Sequence, residues 1–527
     1  MPLNSRSPVR LHYLQNIVLI VICAAFTPLL TSVAILSTLI SPFTKVAQQT
    51  HQRRKWRSTS SSSHFRARTI LVTGVGMSKG LAIARSFYRT GHRVIGADFE
   101  PYFIPACGRF STAIRAFYRL RKPCGRAGSA SYVQDLVEII RREKVELWVS
   151  CSGVASAIED GEAAEMVERV TGCVAVQFGV DLTATLHEKY SFIRHTMELG
   201  LNVPVTYRVN SIKEALAVLH PKRGAKVDTK FIMKPELLDD SARADMTLLP
   251  LRSLSETDTH IQRLNPSKTR PFVLQQYIAG REYCTHSIVL KGKVHAFVAC
   301  RSSDMLMHYQ ALPPSSALSQ AMLRYTTQYV QKTASSPPIT GHFSLDFLVQ
   351  ESVAEKAERA LDVSNARQIE NLQTELFPIE CNPRAHTAVV LLNDRAADMA
   401  DAYMTLLPSP PDHDAPPPHR STQEPVVPSP NTIRTGYYWI GHDFVTKVLL
   451  PTLAVLKCEK GIGSLMREWM DFVRHVAQWH DGTYEVWDPW PAWCLYVLFL
   501  PGCFSVSLWE RRWWSRCNVS TGKFFGV

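Results

Sequence analysis

Residues 70–98, ILVTGVGMSKGLAIARSFYRTGHRVIGAD, leave the chain little choice of architecture. An apolar, β-branched run ends at Thr73-Gly74, a helix-forming stretch follows, and a second apolar run ends at Asp98. Two strands separated by one helix pair in parallel through a right-handed crossover. The pattern repeats. SYVQDLVEIIRREK carries Val133, Leu136, Val137 and Ile140 at helical spacing, and VELWVS follows as a strand. Residues 67–180 are therefore expected to form a parallel α/β domain.

The glycines of this stretch test nucleotide binding. A dinucleotide fingerprint needs G-x-G-x-x-G, so that backbone approaches the pyrophosphate at a helix N-terminus. Gly74 and Gly76 fit, but Lys79 stands where the third glycine belongs. Ser78 replaces the middle glycine of the short-chain dehydrogenase pattern, and the phosphate loop G-x-x-x-x-G-K-[ST] also fails. Asp98 sits where a ribose partner would. The domain is thus Rossmann-like without a complete fingerprint. The N–H groups of Gly74 and Gly76 are expected to face a polar or phosphorylated substrate rather than NAD(P).

Net charge is +13 over 527 residues, and its placement matters more than its size. Residues 1–97 contain 13 Lys and Arg and neither Asp nor Glu, so the rest of the chain is balanced. A basic N-terminal segment fits a membrane surface better than nucleic acid, and no nucleic-acid partner is expected. Residues 17–40, IVLIVICAAFTPLLTSVAILSTLI, hold no charge. At about 1.5 Å per residue they can cross a bilayer core of about 30 Å. Pro28 allows two outcomes, a kinked span or a re-entrant hairpin. Arg6 and Arg10 precede the segment; Lys45, Arg53, Arg54, Lys55 and Arg57 follow it. That bias puts the body on the cytoplasmic side of a membrane-associated protein. A second apolar stretch, residues 490–509, is flanked by Trp490, Trp493, Trp509, Trp513 and Trp514. It reads either as a core helix with a hairpin or as an interfacial helix. The twelve cysteines show neither a CxxC pair nor a zinc spacing, as expected of thiols in a reduced compartment.

The chemistry lies downstream. DLTATLHEKYSFIRHTMELGLNVPVTYRV (181–209) places Lys189 before a helix, and FIMKP places Lys234 in a β-type run. FVLQQYIAGREYCTHSIV (272–289) reads as strand, Gly280 turn, strand, with Glu282 just past the turn. GHFSLDFLV places Asp346 on a strand, and LFPIECNPRAHTAVV places Glu380, Asn382 and Arg384 at alternate positions, on one strand face. Asp346, Glu380 and Asn382 together make a hard-oxygen set suited to Mg²⁺ or Mn²⁺ beside phosphate oxygens. Arg384 can neutralise charge on a transferred phosphoryl group. Lys234 supplies a point charge for phosphates, and Glu282 can accept from ribose hydroxyls. His286 and His386 flank the two motif strands and are candidate bases for deprotonating an attacking amine. Ser287 and Thr387 are weaker candidates for substrate contact.

This combination resembles the ATP-grasp superfamily over roughly residues 67–405. LQQYIAGRE looks like its adenine-binding hinge strand and ribose acid; SLDF and IECNPR look like its metal-binding strands. The resemblance implies α/β plus α+β architecture, with a Rossmann-like pre-ATP-grasp domain followed by an ATP-grasp fold. It implies that Gln275, Gln276, Tyr277 and Ile278 line the adenine, that Glu282 holds the ribose, and that Lys189 and Lys234 hold the non-transferred phosphates of ATP. It also implies a lid over residues 235–246, whose sequence lacks the expected small residues, and transfer of the γ-phosphate to an oxygen that an amine then displaces. Ser344 stands where many members carry Arg.

A narrower resemblance, to mycosporine-glycine synthases, rests on GREYCTHS, IECNPRAHT, GYYWIGHD (436–443) and WDPWP (487–491). It implies a small-molecule substrate, 4-deoxygadusol, joined to the amino acid glycine. Two alternatives stay open. One is a carboxylate–amine ligase of another secondary-metabolite pathway. The other is an NAD(P)-dependent oxidoreductase built on residues 67–180, which leaves IECNPR unexplained. The expected organisation is a membrane segment and basic, Ser-rich linker (1–66), the Rossmann-like domain (67–180), and the ATP-grasp domain (181–405) with a polar insertion (351–374). A Pro-rich linker (406–432) and a helical, aromatic-rich C-terminal extension (433–527) complete it.

Overall fold

The computed structural model describes the chain outside residues 1–2, 5–6, 60–65, 124–127, 152, 154–155, 222–228, 237–244, 303–306, 334–337, 360–365 and 409–423, with backbone only at 53–59, 359 and 366. The expected parallel domain is present. Strands β1 (Thr69–Thr73), β2 (Arg93–Phe99), β3 (Ala116–Leu120), β4 (Leu147–Val149) and β5 (Val174–Val176) form a parallel sheet of order β3-β2-β1-β4-β5. Alternation along β1 feeds both faces. Ile70 and Val72 pack with Ile83 and Phe87 of helix Ser78–Arg89, whereas Leu71 packs with Leu136 and Val167 from the helices on the other side. Strand order reverses between β1 and β4, where open α/β sheets place their crevice.

Two antiparallel sheets follow. Strands β6 (Thr206–Val209), β7 (Phe231–Pro235) and β8 (Phe272–Gln276) form a small sheet of order β6-β8-β7. Helices Ile212–Leu219 and Leu254–Leu264 cover one side of it through Ala215, Leu219, Ile261 and Leu264. Strands β9 (Gly280–Leu290), β10 (Lys293–Arg301), β11 (Gly341–Gln350) and β12 (Phe377–Asn382) form the second sheet, of order β10-β9-β11-β12. Its two faces have different neighbours. Tyr283, Phe343, Leu345, Phe347 and Cys381 pack on helix Ala317–Lys332. Cys284, Ile288 and Val298 share a core with the parallel sheet. That second face also carries the polar residues of the site.

The insertion 351–374 is more than surface decoration. Helix Glu351–Arg359 buries Ala354 and Ala357, and Glu358 ties the rim of the sheet together through Arg281 (2.7 Å), Arg301 and Tyr283 (2.5 Å).

Residues 9–40 form one continuous helix with Pro28 inside it, so the re-entrant hairpin is not adopted. The helix packs Leu19, Ile20, Cys23 and Leu30 against the core and leaves much of its remaining apolar surface exposed. The residues it buries are His12, Asn16, Ala34 and Ser37, whereas Leu29, Leu36 and Leu39 are exposed. Trp514 Nε1 donates to Asn16 Oδ1 at 3.0 Å, Trp493 Nε1 donates to Thr31 Oγ1 at 2.9 Å, and Ser37 Oγ lies 2.7 Å from Tyr484 Oη. The second apolar stretch is also one helix, Trp490–Glu510, with a wider π-type turn at Leu495–Phe499. It lies between helix Val9–Ile40 and the parallel-sheet domain, burying Leu495, Leu500 and Phe504 in that domain's core.

Candidate active site

Strand register assembles the site. Asp346 pairs directly with Glu380 and with Cys284, Leu348 pairs with Glu282, and Ser344 pairs with Asn382. Side chains of paired residues share a sheet face, so Glu282, Asp346, Glu380 and Asn382 all lie on the face turned toward the parallel-sheet domain. Cys381, between two of them, points into the opposite core, as the alternation requires.

The polar contacts form a chain. Asn382 Nδ2 donates to Asp346 Oδ2 at 3.3 Å, and Arg384 Nη2 donates to Asn382 Oδ1. Lys189 Nζ stands 3.2 Å from Glu380 Oε2. Lys189 opens helix Lys189–Glu198, and Glu188 caps that helix by accepting from the N–H groups of Tyr190 and Ser191 at 3.3 Å each. Burial pushes the Asp346 carboxyl well above the usual range, and the neighbouring Glu380 and Glu282 add to the rise. Asp346 Oδ1 and Arg384 Nη1 are sealed from solvent without a hydrogen-bond partner among the described residues. A buried carboxylate oxygen with no donor, beside a second carboxylate and an amide oxygen, fits a hard divalent cation of the Mg²⁺ class.

The remaining expected residues distribute as follows. Glu282 is exposed at the start of β9 and accepts from Ser302 Oγ at 2.6 Å. Lys234 lies on β7 opposite Val273. Gln275 and Gln276 end β8. Gln275 Nε2 reaches Thr206 Oγ1 at 3.5 Å, and Gln276 Oε1 accepts from the Val205 N–H at 3.1 Å, so both amides are engaged within the small sheet. Tyr277 is partly exposed, its N–H donating to Lys230 O at 2.7 Å, and Ile278 is buried. Most of the expected lid, 235–246, lies outside the described residues.

The two candidate bases need correction. His286 is fully buried, and its Nδ1 accepts from the His386 N–H at 3.3 Å. His386 Nδ1 accepts from the Ala388 N–H at 3.2 Å, capping the following turn. A neutral ring with Nδ1 as acceptor carries its proton on Nε2, so neither offers a free basic nitrogen. Burial holds both rings neutral, with His386 pushed down to about 3. His342, bonded at 2.7 Å to Tyr403 Oη, completes a neutral cluster.

The glycine-rich turn also departs from expectation. The Gly74 N–H donates to Ala97 O at 3.0 Å and the Gly76 N–H to Asp98 Oδ2 at 2.6 Å, so neither is free for a substrate. Asp98 thus serves the turn rather than a ribose. Burial raises its carboxyl to about 6, against the backbone donors Gly76 and Phe99 and the charge of Lys79. The helix start beyond the turn is occupied as well: the Ser78 N–H donates to Ser520 O at 3.0 Å, and Ser78 Oγ lies 3.1 Å from Thr483 Oγ1.

Sequence reasoning missed Lys79. It stands in the third-glycine position, 3 % exposed, and its Nζ donates to Ala385 O at 2.9 Å in the IECNPRAH segment. Burial and the charge of Arg384 lower its ammonium to about 7. Its place in a failed glycine motif was the one available signal.

No family model matches this chain, and no curated protein matches it. Some solved structures are partly similar. L-amino acid ligase from Bacillus licheniformis is 12% identical with a TM-score of 0.41, over 62% of this chain and 69% of that one. N5-carboxyaminoimidazole ribonucleotide synthetase from Thermus thermophilus is 14% identical with a TM-score of 0.43, over 65% and 79%. N5-carboxyaminoimidazole synthetase from Staphylococcus aureus is 13% identical with a TM-score of 0.43, over 62% and 74%.

Proposed function

We propose that the chain is an ADP-forming ligase of the ATP-grasp type, which phosphorylates an oxygen of one substrate and joins that substrate to an amine. The observation that carries this reading is the cross-strand pairing of Asp346 with Glu380, with Asn382, Arg384 and Lys189 gathered at the same end of the sheet. Asp346, Glu380 and Asn382 would hold Mg²⁺ or Mn²⁺. The ion, when bound, neutralises charge on the β- and γ-phosphates. Lys189 and Lys234 hold the non-transferred phosphates, and Arg384 stabilises the transferred group and then the phosphorylated intermediate. Gln275 to Ile278 and Glu282 line the adenosine. Since His286 and His386 offer no basic nitrogen, the amine loses its proton to solvent or to the leaving phosphate.

The substrate pair is 4-deoxygadusol and glycine. An enol oxygen takes the γ-phosphate, the glycine nitrogen adds to the carbon that bears it, and inorganic phosphate leaves. This rests on the GREYCTHS, IECNPRAHT, GYYWIGHD and WDPWP segments. An oxidoreductase using NAD(P) loses support, because the Gly74, Gly76 and Ser78 N–H groups that would receive a pyrophosphate already donate to Ala97 O, Asp98 Oδ2 and Ser520 O. The test is ADP release with cyclohexenones and carboxylates, each paired with amino acids. ADP with 4-deoxygadusol plus glycine is expected. ADP only with carboxylates would transfer the assignment to an acyl-phosphate ligase, and a bound nicotinamide without ADP would overturn it.

The enzyme would work at a membrane, with its catalytic body on the cytoplasmic side. What supports this is the row of exposed apolar residues on helix Val9–Ile40, among them Leu14, Val21, Leu29, Leu36 and Leu39, together with the basic residues that flank it in sequence. Helix Ile462–Gln478 adds exposed Ile462, Met466, Met470 and Val473, one stripe at helical spacing. Helix Trp490–Glu510 packs against Val9–Ile40 and buries Leu495, Leu500 and Phe504 in the parallel-sheet core, a packing that favours a pair lying along the membrane surface over one that crosses it.

A further inference from the structure

Away from the nucleotide cleft, three segments distant in sequence bring two imidazoles and one carboxylate to a point. His308 lies just before Tyr309, which bridges to Tyr437. Asp443 ends the short helix Ile440–Asp443, and His475 belongs to helix Ile462–Gln478. Asp443 Oδ1 is 2.6 Å from His308 Nε2, and Asp443 Oδ2 is 2.6 Å from His475 Nδ1. All three donor atoms lie within 4.8 Å of one another.

We propose that His308, Asp443 and His475 form a binding site for a divalent transition metal of the zinc class. The donors select the metal. Imidazole nitrogen with one carboxylate suits zinc and its neighbours, whereas Mg²⁺ takes oxygen. Burial defines the shape: Asp443 is fully buried and His475 nearly so, while the His308 side chain is 32 % exposed. Three protein ligands with one open side leave room for water as the fourth. Trp479 packs on His475 at 4.3 Å between ring centres, and Tyr438 stands 5.8 Å from it, walling the other sides. His442 adds a third imidazole whose ring lies 6.3 Å from that of His308.

The competing arrangement is a triad in which both imidazoles donate N–H to the carboxylate. Converting it to a metal site requires each ring to carry a lone pair in place of its inward N–H, the proton passing to the other ring nitrogen or to solvent, and each N···O pair to part by tenths of an ångström so that an ion fits about 2.0–2.2 Å from each donor. No new residue is needed. The ion would pin the C-terminal extension to the segment that follows β10.

The experiment uses the full chain, stripped with a chelator and titrated with Zn²⁺. Equimolar zinc by elemental analysis and a rise in melting temperature are expected, and Co²⁺ loading should give the visible bands of a tetrahedral ion. His308→Ala, at the exposed edge, should lose the zinc while remaining folded; His475→Ala should lose it too. Asp346→Asn should retain it. Absence of equimolar zinc in the wild-type chain, retention in both histidine variants, or loss in Asp346→Asn would each overturn the proposal.

Discussion

Asp346 carries a buried carboxylate oxygen without a partner among the described residues, and the proposed function makes that oxygen a metal ligand. Asp346→Asn and Glu380→Gln should therefore lower ADP release by orders of magnitude and leave the melting temperature nearly unchanged. Near-normal turnover in both would remove the metal assignment. Lys79 gives a prediction of a different kind. Its ammonium falls from 10.5 to about 7 on folding, so between those values the unfolded chain holds a proton that the native chain lacks. Stability should rise with pH across that window. Lys79→Met should flatten the rise, as read from denaturant midpoints of both proteins at several pH values within it. A variant with the wild-type slope would contradict the buried, weakened ammonium. Of these residues only the acids were legible in the sequence. Asp346 and Glu380 interrupt apolar runs, and that interruption is visible without a structure. Lys79 sits in the polar first turn of a helix, and its burial depends on Ala385, some three hundred residues away.

Elements were legible wherever a local period coincided with a burial pattern. The alternation of Glu380, Cys381 and Asn382 agrees with the faces of β12, although the strand ends at Asn382 and Arg384 lies past it in a bend, off the expected strand face; the βαβ repeat agrees with the parallel sheet, because both periods are set by the backbone. The roles of the two histidines and of the glycine turn were misread, because a sequence does not display which backbone groups already have partners. The glycines act sterically. Gly74 has φ +73°, and a Cβ on Gly80 would lie 2.3 Å from Gly74 O. An alanine inside a helix usually stabilises by about 0.5–1 kcal/mol over glycine. Here the clash reverses the sign, so Gly80→Ala should lower the melting temperature. A rise would mean that the turn and helix are not in contact.

At the scale of the whole molecule the C-terminal extension is a structural part of the catalytic body. Asp488, from the WDPWP segment, is fully buried. It pairs with Arg85 at 2.9 Å and accepts from Ser111 Oγ (2.6 Å) and the Thr112 N–H (2.8 Å). Removing one partner of such a pair strands a buried charge, at a cost of about 3–5 kcal/mol. Asp488→Ala should show that loss in denaturant unfolding, and an effect near zero would place the extension outside the cooperative unit. The apolar exterior makes a separate prediction. Leu29→Glu with Leu36→Glu should release the protein from lipid vesicles in a flotation assay without altering its circular dichroism; unchanged flotation would leave the membrane reading without its surface. The Ser520 carbonyl sits on the helix end that comparable sheets offer to phosphate groups. The chain is its own competitor there: any phosphorylated molecule arriving at that end has first to evict the tail, and affinity for it is lowered by whatever free energy holds the tail in place.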